Sequence, residues 1–135
     1  MNLVDTSGWI EFFFEGPSAA FFEEPIEKAE ILIVPTVCLY EVFKKVLQAA
    51  DEAKALQAVA QMKQGRVVVL DETVALQAAS ISLKHKVPMA DSFIYATARI
   101  YRATLWTQDA HFKGLPRVNF KETRTAPSRG RRKAL

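Results

Sequence analysis

Apolar residues along this chain come in two rhythms: short aliphatic runs, and longer segments in which they recur every three or four positions. The short runs predict strands at Leu3-Val4, Ile31 to Val34, Arg66 to Leu70 (with Val67, Val68 and Val69 buried), Thr104 to Thr107, and an edge strand at Val118 to Phe120. The longer segments predict helices. Trp9 to Phe14 is almost wholly apolar and should form a buried helix stopped at Gly16-Pro17, and the acidic, amphipathic stretch Ser18 to Glu30 should be divided by Pro25 into two short helices. Thr36 predicts the N-cap of a helix reaching Ala50, with Leu39, Val42, Val46 and Ala49 inward and Glu41 on the flank. Asp51 to Gly65 predicts a helix burying Ala53, Leu56, Val59 and Ala60. Thr73 to Lys86 should bury Leu76, Ala79 or Ser80, and Leu83; Met89 to Arg102 should bury Ile94, Ala98 and Tyr101, with Asp91 in its first turn.

Strands separated by helical segments, with no Asn-Gly hairpin signal between them, predict a parallel sheet covered on both faces, a three-layer α/β domain. Ligands in such folds bind at the carboxyl ends of the strands, where the connection pattern reverses. The first strand ends on Asp5, which passes at once through Thr6, Ser7 and Gly8 into a helix, and Asp109 follows the fourth strand just as closely.

Composition narrows this little. At 135 residues and 15.1 kDa, half of it hydrophobic, the chain is sized for one domain. One cysteine and two histidines exclude a self-sufficient structural zinc site and an internal disulfide, which fits a reducing, cytoplasmic setting. The longest apolar stretch, Ile31 to Tyr40, is about half a membrane span and is broken by Pro35, and no signal peptide pattern opens the sequence. The net charge of +3 divides unevenly. Lys121, Arg124, Arg129, Arg131, Arg132 and Lys133 against Glu122 give residues 121–135 a charge of +5, leaving −2 on residues 1–120. The pI of about 9.1 therefore belongs to the tail, expected to be extended or disordered, and not to the folded body.

Four acids invite chemistry. Singly, Asp5 and Asp91 read as helix caps and Asp109 as the start of an Asx-turn, while Glu41 is harder to place because it interrupts the apolar helix Val37 to Phe43. Jointly, the fold sends all four toward one crevice. Two like charges about 4 Å apart cost roughly 4 kcal/mol at an effective dielectric near 20, so such a cluster calls for a cation or shared protons. Oxygen-only ligands select a hard ion, Mg²⁺ or Mn²⁺, and the chemistry that suits is hydrolysis of a phosphate ester.

The same residues resemble a family, the PIN-domain ribonucleases, and within it the VapC-type toxins of prokaryotic toxin–antitoxin pairs. The matching motifs are Val4-Asp5-Thr6-Ser7, Thr36 through Tyr40 leading to Glu41, Ala90-Asp91-Ser92-Phe93-Ile94-Tyr95-Ala96-Thr97-Ala98, and Thr107-Gln108-Asp109-Ala110-His111-Phe112, which together cover residues 1–120. The resemblance implies five parallel strands in order 3-2-1-4-5, a catalytic, metal-holding quartet of Asp5, Glu41, Asp91 and Asp109, and supporting hydroxyls at Thr6, Ser7 and Thr107. It implies cleavage of RNA, tRNA or rRNA among the targets, with divalent metal, and control by a small antitoxin protein. Trp106 departs from the family's usual aliphatic residue.

Around this core, Lys44 and Lys45 are candidates for RNA phosphate contacts or simply an exposed helix face, and His111 reads as a local structural residue. Clustered Phe12, Phe13, Phe14, Phe21 and Phe22 suggest core or a homodimer contact, and the tail either screens RNA phosphates or solubilises the chain. The competing readings are a PIN nuclease for RNA processing without an antitoxin and a catalytically silent binding module. A phosphoaspartyl phosphatase would want a second Asp where Ser7 stands, and no P-loop or G-x-G-x-x-G stretch supports nucleotide binding.

Overall fold

The short apolar runs become one parallel sheet in the order β3-β2-β1-β4-β5 in the computed structural model of the chain, which describes residues 1–123. The elements are β1 (Asn2–Val4), α1 (Thr6–Phe13), α2 (Ala19–Glu27), β2 (Leu32–Pro35), α3 (Thr36–Ala49), α4 (Glu52–Met62), β3 (Arg66–Val68), α5 (Glu72–His85), α6 (Met89–Ile100), β4 (Thr104–Thr107) and β5 (Val118–Phe120). Short 3₁₀ turns occupy Ala29–Ile31 and Ala110–Phe112. The expected strand order is the observed one.

Strand β1 lies at the centre, with Leu3 paired to Ile33 on one side and to Leu105 on the other. Leu3, Val4, Ile33, Val34 and Leu105 are wholly buried whichever way they point, so both faces of the central strands are covered and the domain has three layers. The chain leaves β1 toward β2 and β3, then crosses back to β4 on the other side of β1. The reversal therefore falls between β1 and β4, the place where a crevice opens at the strand ends. Trp106 sits in this central position because its indole N–H has a partner, Asn2 Oδ1 at 3.0 Å, and its ring packs on Phe21. Gly8 lets helix α1 lie close to the core: a Cβ there would come within 2.5 Å of the Phe22 ring and 2.7 Å of Val4 Cγ1.

Several local expectations are corrected. Pro25 does not divide Ser18 to Glu30: it lies inside α2, buried, two residues before the helix ends, where the backbone bond it forfeits is one of the last. Ile31 belongs to the 3₁₀ turn and not to β2. Thr36 is the first helical residue and makes no cap bond; Pro35 holds the cap position. Strand β3 stops at Val68, leaving Val69 and Leu70 exposed.

Two helices present another face than expected. Helix α4 buries Ala55, Ala58 and Met62 and leaves Leu56 outside; α5 buries Val74 and Ala78 and leaves Leu76, Ala79 and Leu83 outside. The inward side chains of α5, Val74 and Ala78, pack with Ala96 of α6 in one small cluster. The clustered phenylalanines turn inward instead: Phe22 is fully buried, Phe12, Phe13 and Phe21 are half-buried against the core and only Phe14 is mainly exposed. Of the basic tail, Lys121 to Thr123 are exposed coil, and residues 124–135, with the expectation of an extended or disordered end, lie outside the described residues.

Candidate active site

Asp5 is the best-fixed member of the site. It leaves β1 in extended backbone at the N-cap of α1, and its Oδ1 accepts bonds from the Ser7 hydroxyl at 2.7 Å and the Gly8 N–H at 3.2 Å. Its Oδ2 accepts from the Thr107 hydroxyl at 3.0 Å, across the gap between β1 and β4. Thr107 Oγ1 in turn accepts the Asp109 N–H at 2.9 Å, and Ser7 Oγ accepts the Gln108 N–H at 3.3 Å. Asp5 thus serves both as a helix cap and as the buried floor of the crevice, where two hydroxyls tie it to the end of β4.

The remaining acids reach the crevice from helices and a turn. Asp91 stands in the first turn of α6; Asp109 caps the turn after β4 and accepts the His111 N–H at 2.9 Å. That Asx-turn swings the imidazole back, so that His111 Nδ1 lies 2.9 Å from Asp91 Oδ2 and 3.1 Å from Asp109 Oδ1. Glu41, on α3, accepts a short hydrogen bond from Thr6 Oγ1 and has no lysine partner among the described residues. The four acids share one neighbourhood: the charges of Asp5, Glu41 and Asp91 bear on the buried Cys38 thiol and push it upward after burial itself, and that of Asp109 bears on Asp5 and Asp91.

The electrostatics reflect burial first and the neighbouring acids second. Burial pushes Asp5 up to about 7 from its ordinary 3.8, against its three hydrogen bonds and with a small further push from Asp109. Asp91 is pushed up to about 6, again by burial first, then by the Asp109 charge, with His111 opposing and Glu41 adding to the rise.

The donor set fits a divalent ion. One ligand atom each from Asp91, Asp109 and His111 lie within 4.8 Å of one another, and Asp5 adjoins them through Thr107. Carboxylate oxygens suit Mg²⁺ or Mn²⁺, and the imidazole adds a nitrogen that manganese accepts more readily than magnesium. His111 is the residue that sequence reasoning underrated as merely local. Its signal was the Asp109-Ala110-His111 spacing, in which an Asx-turn returns the ring over the acid two positions back. Lys44 and Lys45 are exposed on α3 and line a groove with Thr6, Tyr40 and Glu41, the Lys44 ammonium lying 5.7 Å from the Tyr40 ring centre.

A family model for the PIN domain matches residues 3–118, so the chain belongs to the PIN domain family. No curated protein matches it in sequence. Among solved structures, a toxin–antitoxin complex from Klebsiella pneumoniae is similar at a TM-score of 0.75 and 21% identity, over 88% of this chain and 96% of that one. VapC20 of Mycobacterium tuberculosis, a sarcin-ricin loop cleaving toxin, gives 0.73 at 17% identity over 86% and 95%. The DNA-bound VapBC of Salmonella typhimurium gives 0.72 at 16% over 90% and 98%. These likenesses concern the fold.

Proposed function

We propose that the chain is a divalent-metal-dependent endoribonuclease, the toxin of a toxin–antitoxin pair, which inhibits translation by cutting a structured RNA such as tRNA or rRNA. The observation that carries this reading is the convergence of Asp5, Asp91 and Asp109 on one crevice, with Glu41 beside them and two of the acids held partly protonated by burial. Asp91 and Asp109 would hold Mg²⁺ or Mn²⁺ with Asp5 and Glu41 alongside. When bound, the ion would activate water for attack on the phosphodiester and offset charge on the leaving oxygen.

The chain's own groups do the positioning. Ser7 and Thr107 lock both oxygens of Asp5, Thr6 orients Glu41, and His111 aligns Asp91 with Asp109. Lys44 and Lys45 contact RNA phosphates beside Glu41 in this reading, residues 1–120 form the nuclease domain, and the tail from 121 adds basic charge for RNA. A small antitoxin as partner is supported by the toxin–antitoxin assemblies named for the similar structures. No helix among the described residues is long and apolar enough to cross a membrane, in keeping with action in the cytoplasm.

A homodimer is part of the same reading, though on a different face from the phenylalanine cluster. Leu76, Leu83 and Met89 are 66%, 84% and 71% exposed, and the last two line a cavity of about 400 Å³ between α5 and the start of α6. Leu83→Glu should therefore shift the protein from dimer to monomer by analytical ultracentrifugation while changing Tm little; a parent that is already monomeric at working concentration refutes the dimer. The function itself is tested by sequencing RNA ends after brief induction in cells, with Asp91→Asn as control. New ends at discrete sites in the parent alone are expected, and identical profiles would refute nuclease action.

A further inference from the structure

Helices α5 and α6 enclose, with the chain leading into β5, a cavity of about 330 Å³ that none of the site residues lines. Lys84 and Arg99 supply its positive charge, with His85, Gln77 and Ser80 beside them, and no carboxylate borders it. On a body whose first 120 residues carry −2, such a one-signed recess is unusual. Among the described residues none of the three bases is ion-paired.

The recess is also built. Tyr95 is buried to 3%, and its hydroxyl donates to the Pro116 carbonyl at 2.8 Å. The same hydroxyl accepts from Arg99 Nη1 at 3.4 Å, and the guanidinium lies 5.8 Å from the centre of the tyrosine ring. Arg99 is thereby held beside an aromatic surface, with no further hydrogen bond or ion pair among the described residues, and His85 stands on the other side edge-on to Tyr95. A fixed guanidinium with a lysine and polar side chains around it is suited to a phosphate group.

Position decides which phosphate. Tyr95 and Arg99 follow Asp91 by one and two turns of α6, so Arg99 lies about 12 Å along the helix from the proposed site. Phe112, next to His111, packs 6.4 Å from the Tyr95 ring, so the tyrosine that lines the recess rests against the turn that carries His111. We infer that Lys84, His85 and Arg99 form a backbone-phosphate subsite that holds the RNA strand a few nucleotides from the bond cut at the acids. This rests on the ribonuclease reading for its substrate, but the recess can be tested apart from it.

The test compares the full-length parent with Lys84→Ala/Arg99→Gln and, separately, with Ser80→Glu, which adds a negative charge to the recess while leaving Lys84, His85 and Arg99 in place. In steady-state cleavage of a single-stranded RNA, both variants should raise KM about tenfold with kcat within about twofold. For the double variant the salt slope of log kcat/KM should also become shallower by about one, as expected for losing one or two phosphate contacts. Unchanged KM and slope in both variants would overturn the subsite while leaving the ribonuclease reading intact. Should the parent not cleave RNA, that reading fails, and equilibrium binding of labelled RNA decides the subsite alone. Equal affinities for parent and variants overturn it, as does a loss confined to an acidic polyglutamate peptide, which would mark the recess as a protein-binding one.

Discussion

Asp5→Asn is expected to cut RNA cleavage at least about 1000-fold and yet leave the metal-free protein more stable than its parent at pH 8. The loss follows from removing a charge beside the proposed ion: a deficit of about 4 kcal/mol in transition-state stabilisation corresponds to three powers of ten in rate. The gain follows from linkage. Burial holds the folded-state value of Asp5 at about 7 against 3.8 in an ordinary setting, so the native chain binds this proton more tightly than the unfolded chain does. That contribution is complete below about pH 4 and is lost as pH rises through 7, on the order of 4 kcal/mol in all. Asparagine is neutral throughout and can still accept the Gly8 N–H, while the Ser7 and Thr107 hydroxyls can rotate to meet its amide. Calorimetry in EDTA at pH 5 and pH 8 should show the parent losing Tm over that interval and the variant keeping most of it. Parallel losses, or near-parent cleavage by the variant, would contradict the electrostatic account.

Divalent metal should have the second large effect. An ion that binds only the folded chain adds about 2.7 kcal/mol at a concentration near 100 times its Kd, which for a chain of this size raises Tm by roughly 10 °C. Asp91→Asn should lose most of that shift because Asp91 belongs to the group of ligand atoms gathered within 4.8 Å. The parent's response should also weaken below about pH 6, since protons compete for Asp5 and Asp91 there. Thermal scans with Mg²⁺ and Mn²⁺ across pH check both statements. Equal shifts in parent and Asp91→Asn would tell against these acids as ligands.

The sheet was legible in the sequence because its signals are local. Short apolar runs, each followed by a turn or helix start, mark the strands; their order, which brings Asp5 and Asp109 to the neighbouring ends of β1 and β4, was implied by the family resemblance and not by periodicity. The faces of α4 and α5 were not legible, since each carries two apolar stripes and periodicity cannot choose between them. In α5 the buried stripe is Val74 and Ala78, which pack with Ala96 of α6, and not Leu76 and Leu83, a choice that depends on the partner helix. Pro25 misled for a related reason: its cost depends on how much helix follows, and here only two residues do. His111 was underrated because its contact to Asp91 crosses some twenty residues of chain and only the Asp109 contact is written in the local spacing.

Cys38 shows what the crowd of acids does to a bystander. Its sulfur is sealed at the start of α3, 4.0 Å from the Val4 carbonyl, with three carboxylates bearing on it. Thiolate is the form that oxidants and alkylating reagents attack, and here neither solvent nor charge permits it to form. The only thiol in the chain is consequently shielded from thiol-directed oxidants and alkylating reagents in the native state, and unfolding is what would expose it.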